Sequence, residues 1–165
     1  MFVLMSCSVS KVITDYDSEI NFEDFKSYSF FEDVGEGLNE LDVKRVRLSM
    51  NSELKSVGFK KLENPDFYIN IIAKYSENQN NNTIGIGLGS GGRNGGFGIS
   101  GGIPIGGKKL NEEFIIEFVN AKTYEVIWEG ILNSKINEKR KPEEKEQHFN
   151  EVVKKILEKY PPKKK

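Results

Sequence analysis

Apolar residues recur along the chain with two spacings, which predict two helices and five strands. Spacings of three and four residues predict a helix from Asn39, a good N-cap, to Gly58, with one apolar stripe: Val43, Val46, Met50, Leu54 and Val57. A second helix is predicted from Pro142 to about Lys159, and its stripe is Phe149, Val152, Val153, Ile156 and Tyr160. His148 falls at the flank of this stripe, so we interpret it as a boundary residue and not as a ligand.

Alternating apolar and polar residues predict strands over 8–15, 26–32, 67–75, 114–119 and 124–132. The strand over 67–75 is apolar on both faces, which indicates a central position in a sheet. Trp128, the only tryptophan, is predicted to anchor the core. The order of elements predicts an α+β fold: an antiparallel β-sheet with two helices packed on one face.

Composition excludes several classes of protein. The 165 residues fit one domain, and 24 basic against 25 acidic residues leave a net charge of −1, which argues against a nucleic-acid partner. One Cys and one His exclude a disulfide framework and a Cys/His zinc site within one chain. Asp15, Asp17 and Glu19 have the spacing of a calcium loop, but Ile20 and Lys26 stand where that loop needs Gly and Glu. No cofactor is predicted, and no activity follows from these residues.

Residues 85–107 contain 12 of the 16 glycines. Phosphate-loop patterns occur here by chance, because no helix can follow Gly92 and because Lys109 stands where a P-loop needs Ser or Thr. We therefore predict no nucleotide partner. Apolar residues alternate with glycine, so the segment over 78–109 is interpreted as a Gly-rich β-ribbon or loop insert. Its apolar positions are candidate contacts for a protein partner: Ile84, Ile86, Leu88, Phe97 and Ile99.

The first residues resemble a lipoprotein signal. Leu4-Met5-Ser6-Cys7 has the order of a lipobox, in which the Cys is acylated and becomes the mature N-terminus. Only six residues precede Cys7 and none is basic, which departs from a full signal peptide. We interpret 1–7 as a signal remnant, 8–162 as one domain and 163–165 as a basic tail. The alternative for Cys7 is an ordinary buried thiol.

Several segments, taken in order, resemble the DUF4136 family of bacterial envelope lipoproteins, a domain family of unknown function. They are Asp15-Tyr16-Asp17, the aromatic residues from Phe22 to Phe30, Asn64-Pro65-Asp66, the Gly-rich insert, the hairpin residues Asn120, Thr123, Val126, Trp128 and Gly130, and the closing Tyr160-Pro161-Pro162. Tyr124 departs from the pattern, since glycine is common there. The resemblance implies lipidation at Cys7 and brings no activity.

Together these observations predict a lipid-anchored envelope protein with a non-enzymatic binding or structural role. Its expected partners are the membrane, through an acylated Cys7, and an envelope protein. Ser8, next to the acylated residue, favours the outer membrane. Two alternatives stay open: an envelope hydrolase that uses surface carboxylates, and a soluble cytoplasmic domain whose N-terminus matches a lipobox by chance.

Overall fold

The computed structural model describes residues 10–77 and 108–163. In chain order the elements are β1 (Val12–Tyr16), a 3-10 turn (Phe22–Asp24), β2 (Ser27–Phe30), α1 (Glu40–Ser56), β3 (Lys60–Lys61), β4 (Phe67–Glu77), β5 (Lys109–Asn120), β6 (Val126–Asn137) and α2 (Pro142–Leu157). The predicted α+β fold is confirmed. Within these residues no helix is long and apolar enough to cross a bilayer.

Six strands form one sheet in the order β1-β6-β5-β4-β2-β3. The four strands β1, β6, β5 and β4 are antiparallel neighbours, whereas β2 pairs in parallel with β4 and with β3. The sheet is therefore mixed, and the prediction of an antiparallel sheet is wrong for β2 and β3. The reason is that α1 crosses over between β2 and β4 and brings the chain back in the same direction. The two-residue β3 was not predicted.

Both helices begin where the sequence predicts. The Asn39 side chain accepts a hydrogen bond from the Asp42 N–H (3.0 Å) and so caps α1. Gly58, at φ +94°, follows the end of this helix in a left-handed conformation. Pro142 is the first residue of α2, and the Glu144 carboxylate accepts from the Lys141 N–H (2.7 Å).

The core lies between the helices and one face of the sheet, as predicted. Trp128 is fully buried and packs against Phe118 (ring centroids 4.9 Å apart) and Tyr160 (5.2 Å). A Cβ at Gly130 would lie 2.5 Å from Ile156 and 2.7 Å from the Trp128 ring. The absence of a side chain at Gly130, two residues after Trp128, therefore leaves the space in which Ile156 of α2 and Trp128 pack.

The Gly-rich segment is inserted between two strands that are direct neighbours. β4 and β5 remain paired as far as Glu77 opposite Leu110. Residues 78–107, and with them the predicted ribbon, lie outside the described residues.

Candidate functional site

The residues that the sequence singled out as sites lie outside the described part of the chain. This holds for Cys7 and for the five apolar positions of the insert, so lipidation and partner contact there stay predictions. The candidate sites within the described residues are the helix-free face of the sheet, a buried polar cluster under α2, and a groove at the ends of the helices.

The helix-free face carries a row of four isoleucines. Strand register places Ile72, Ile115, Ile131 and Ile13 side by side across β4, β5, β6 and β1. The residues on either side of Ile72 are buried beneath the helices, so Ile72 itself faces away from them. Exposure increases toward the sheet edge, from 5% at Ile115 to 52% at Ile13. An apolar row, buried at Ile115 and exposed at Ile13, thus crosses a face that neither helix covers.

A row of carboxylates lies next to the isoleucines on the same face. Glu117, Glu129 and Asp15 are direct cross-strand neighbours on β5, β6 and β1. The Asn70 side chain donates to Glu117 (2.8 Å). Partial burial, followed by the charges of Glu117 and Asp15, raises the pKa of Glu129 above its ordinary range. Like charges opposite one another are unfavourable, so this row attracts a cation or a basic group.

The residues with calcium-like spacing, 15–19, span the end of β1 and the turn that follows it. The Asp15 carboxylate accepts from the Tyr16 N–H, and the Asp17 carboxylate accepts from the Glu19 N–H (both 2.9 Å). Across the described residues, no three His, Cys, Asp or Glu side chains come together as a metal site would need.

Stacked aromatic rings occupy the far corner of the helix-free face. Tyr68 stacks on Phe31 (centroids 5.0 Å apart) and on Tyr124 (6.4 Å). Tyr124 has φ +59°, the left-handed region that glycine adopts most readily. This conformation explains why glycine is common here in the family that the sequence resembles.

A polar cluster interrupts the buried face beneath α2. Tyr75, Glu112 and Ser134 form one row across β4, β5 and β6, and His148 of α2 lies over it. The Glu112 side chain is fully buried, with Oε1 2.6 Å from His148 Nε2 and 3.3 Å from the Ser134 hydroxyl, which donates to it. Burial, with the adjacent Glu112, raises the pKa of Tyr75. His148 is a partly buried boundary residue, as predicted, but its partner was not foreseen.

This cluster contains Ser, His and Glu without the geometry of a catalytic triad. In a triad, histidine lies between the hydroxyl and the carboxylate, and so it can take the hydroxyl proton. Here the carboxylate of Glu112 lies between Ser134 and His148 and contacts both. Through the contact between His148 and Glu112, the cluster joins α2 to the sheet.

An apolar groove lies where both helices end. It has a volume of about 360 Å³, and its apolar lining includes Phe22, Leu54, Val57, Phe59, Leu157 and Tyr160. Charged residues of both signs, including Lys26 and Glu158, surround it. The groove is large enough for a few apolar side chains.

Sequence reasoning missed the helix-free face as a surface, although one signal was present. The strand over 67–75 is apolar on both faces. A central position in the sheet accounts for this pattern by itself and does not indicate an exposed surface. Strand register was needed to show that three other isoleucines continue Ile72 into a row. Glu112 gave no signal, because its partner His148 lies 36 residues away in the sequence.

The family profile of a domain of unknown function, DUF4136, matches residues 12–162. The chain therefore belongs to the DUF4136 family. No curated protein matches it.

Solved structures with the same fold include a PDZ domain protein from Parabacteroides distasonis, at 18% identity and a TM-score of 0.61. The match covers 93% of this chain and 36% of that one, so the present chain spans about a third of its length. PelC from Paraburkholderia phytofirmans, solved as a dodecamer, matches at 6% identity and a TM-score of 0.52, covering 90% of this chain and 95% of PelC. A PelC variant, also a dodecamer, matches at 6% identity and 0.53, covering 90% and 94%.

Proposed function

We propose that the protein is a lipid-anchored component of a bacterial envelope that binds another envelope protein through the helix-free face and performs no catalysis. The isoleucine row carries this proposal, since apolar residues that become exposed toward an open sheet edge, up to 52% at Ile13, are typical of an interaction surface. The adjacent carboxylates Asp15, Glu117 and Glu129 support a partner surface with an apolar centre and basic groups on one side.

The proposed anchor is Cys7, with the outer membrane as the expected address because of Ser8. Cys7 precedes the first residue of β1 by five positions, which is at most about 17 Å of extended chain. Acylation at Cys7 would therefore keep β1 and its end of the sheet close to the membrane surface. The apolar residues Ile84, Ile86, Leu88, Phe97 and Ile99 of the insert are proposed as further contacts with the same partner.

Photo-cross-linking in intact cells tests the binding role. A cross-linking amino acid is placed at Ile72, at the centre of the helix-free face, and in parallel at Val57 on the groove and at the exposed Glu143 of α2. We expect one adduct of defined mass from position 72 and none from position 143. An adduct from position 57 alone would move the binding site to the groove, and equal labelling from all three would contradict a specific face.

The second candidate function is an envelope hydrolase that uses surface carboxylates. The raised pKa of Glu129, beside the carboxylate of Glu117, is the observation that favours it, because a carboxyl group with a raised pKa can act as a general acid next to a second carboxylate. Purified protein would be assayed with ester, amide and glycoside substrates, together with Glu129→Gln and Glu117→Gln. Turnover that both substitutions abolish would establish the hydrolase, and no turnover with any substrate would eliminate it.

A further inference from the structure

The two edges of the sheet differ in how they are protected. β3, at one edge, has two residues, both lysine, and such short, charged strands discourage pairing. β1, at the other edge, has five residues without proline or a bulge. Among residues 10–77 and 108–163, no strand pairs with its outer side. An edge of this kind is a template for another strand.

The backbone groups on the outer side of β1 can be identified from its register. Asp17 donates its N–H to the carbonyl of Ile127, so the odd-numbered residues of this strand hydrogen-bond to β6. Alternation then directs the N–H and C=O groups of Val12, Thr14 and Tyr16 outward. The Tyr16 N–H is already bound to the Asp15 carboxylate, which leaves Val12 and Thr14 for a partner strand.

We propose that a second copy of this chain pairs with β1 in antiparallel fashion, with Ile13 opposite Ile13 of the other copy on the two-fold axis. In this register Val12 lies opposite Thr14 of the second copy, and each pair exchanges two backbone hydrogen bonds. The outward groups of Val12 and Thr14 are thereby used in both strands. A two-fold axis perpendicular to the sheet keeps the helix-free faces on the same side, so the two isoleucine rows join at Ile13.

Side-chain chemistry selects this register over its neighbours. Continuing the alternation one residue before β1 puts Lys11 on the helix-free face with Ile13 and Asp15. With Ile13 on the axis, each Lys11 lies opposite the other copy's Asp15. A shift that puts Thr14 on the axis would set Ile13 against Asp15, and one that puts Val12 there would set Lys11 against Ile13.

The second copy also offsets the excess of negative charge on the helix-free face. Glu117, Glu129 and Asp15 run to the edge of the sheet as a row of like charges. The incoming Lys11 would end that row with a cation, next to the outermost carboxylate. Opposite charges directly across a strand pair stabilise the pairing, whereas like charges oppose it.

Sedimentation analysis of the full chain, with reductant to keep Cys7 from forming a disulfide, measures the dimer. We expect the chain to form a dimer, and no larger species, at concentrations up to about 1 mM. Thr14→Pro removes an outward N–H that no other residue of the described ranges uses, so it should abolish the dimer while the circular dichroism spectrum stays unchanged. A wild-type chain that stays monomeric throughout, or a folded Thr14→Pro variant that still dimerises, would overturn the proposal.

Charge exchange tests the register even if the proline variant fails to fold. Lys11→Asp and Asp15→Lys each place like charges opposite one another and should weaken the dimer about tenfold or more. Mixing these two variants should restore pairing as a heterodimer, as should the double exchange in one chain. Lys60→Asp, on β3, is the matched control and should leave the dimer intact. Failure of the mixture to pair would overturn this register.

Discussion

Replacing Asp66 by alanine should show how much the hydrogen bonds at the start of β2 contribute to stability. One carboxylate oxygen of Asp66 accepts three hydrogen bonds: from the Lys26 N–H (2.9 Å), the Ser27 N–H (2.8 Å) and the Ser27 hydroxyl (2.7 Å). Its own N–H and C=O bind Ser27 and the Ala121 N–H, so Asp66 joins the starts of β2 and β4 to the β5–β6 hairpin. This role gives a physical reason for the Pro-Asp pair ahead of β4.

The expected magnitude follows from these contacts. A hydrogen bond to a charged group contributes about 1.5–3 kcal/mol, but the bond from Lys26 is exposed and is discounted. We therefore expect Asp66→Ala to cost about 2–3 kcal/mol, a large share of a typical stability of about 5–15 kcal/mol. Asp66→Asn keeps an acceptor and should cost about half as much.

The pH dependence of the same variants gives an independent check. Burial alone would raise the pKa of Asp66, but its hydrogen bonds from Lys26 and Ser27, with the charge of Lys122, lower it overall. A lowered pKa in the folded state stabilises the protein above the ordinary aspartate value of about 3.9, and this contribution disappears as pH falls through the folded-state pKa. The difference between wild type and Asp66→Asn should thus be constant from about pH 7 to 5 and shrink at lower pH.

Urea unfolding followed by circular dichroism measures these differences. Asp33→Ala, at an exposed loop aspartate, is the matched control and should change stability by less than about 0.5 kcal/mol. An equally small change for Asp66→Ala would refute the reasoning, since it would mean that these hydrogen bonds are replaced by water without loss.

Three further predictions follow from the packing. Gly130→Ala should cost about 1–3 kcal/mol, because its Cβ would meet Ile156 and Trp128 at 2.5 and 2.7 Å; an unchanged urea midpoint would contradict this. Glu129→Gln should raise the melting temperature at pH 7, because the raised pKa of Glu129 means that its ionised form is penalised in the folded protein; the gain should vanish below about pH 4, where wild type is protonated, and a gain that persists there would show another cause. Replacing 80–107 by a short Gly-Ser turn should leave the circular dichroism spectrum unchanged, since β4 and β5 are already paired up to Glu77 and Leu110; unfolding would show that the segment belongs to the sheet.

Local sequence signals were sufficient to predict much of the fold. Periodicity and caps located both helices, since Asn39 and Pro142 act through neighbours only a few residues away. Alternation located the long strands and identified Trp128 as a core residue. The parallel pairing of β2 was not predictable in this way, because the direction in which α1 returns the chain depends on packing against the sheet.

The candidate surface was harder to predict than the fold. Ile13, Ile72, Ile115 and Ile131 come from four strands, and only strand register makes them one row. The partner of His148 was missed for the same reason, since Glu112 lies 36 residues away in the sequence. Asp66 belonged to a recognisable motif, but its three hydrogen-bond donors lie about 40 residues earlier in the chain.

The proposed lipid anchor is tested most directly by labelling with radioactive palmitate. The gene is expressed from its native locus, so that whatever precedes Met1 in the genome is retained, and wild type is compared with Cys7→Ala. The account predicts that wild type incorporates label and partitions into detergent, and that the substitution abolishes both. Absence of label in wild type, or equal labelling of Cys7→Ala, would contradict it.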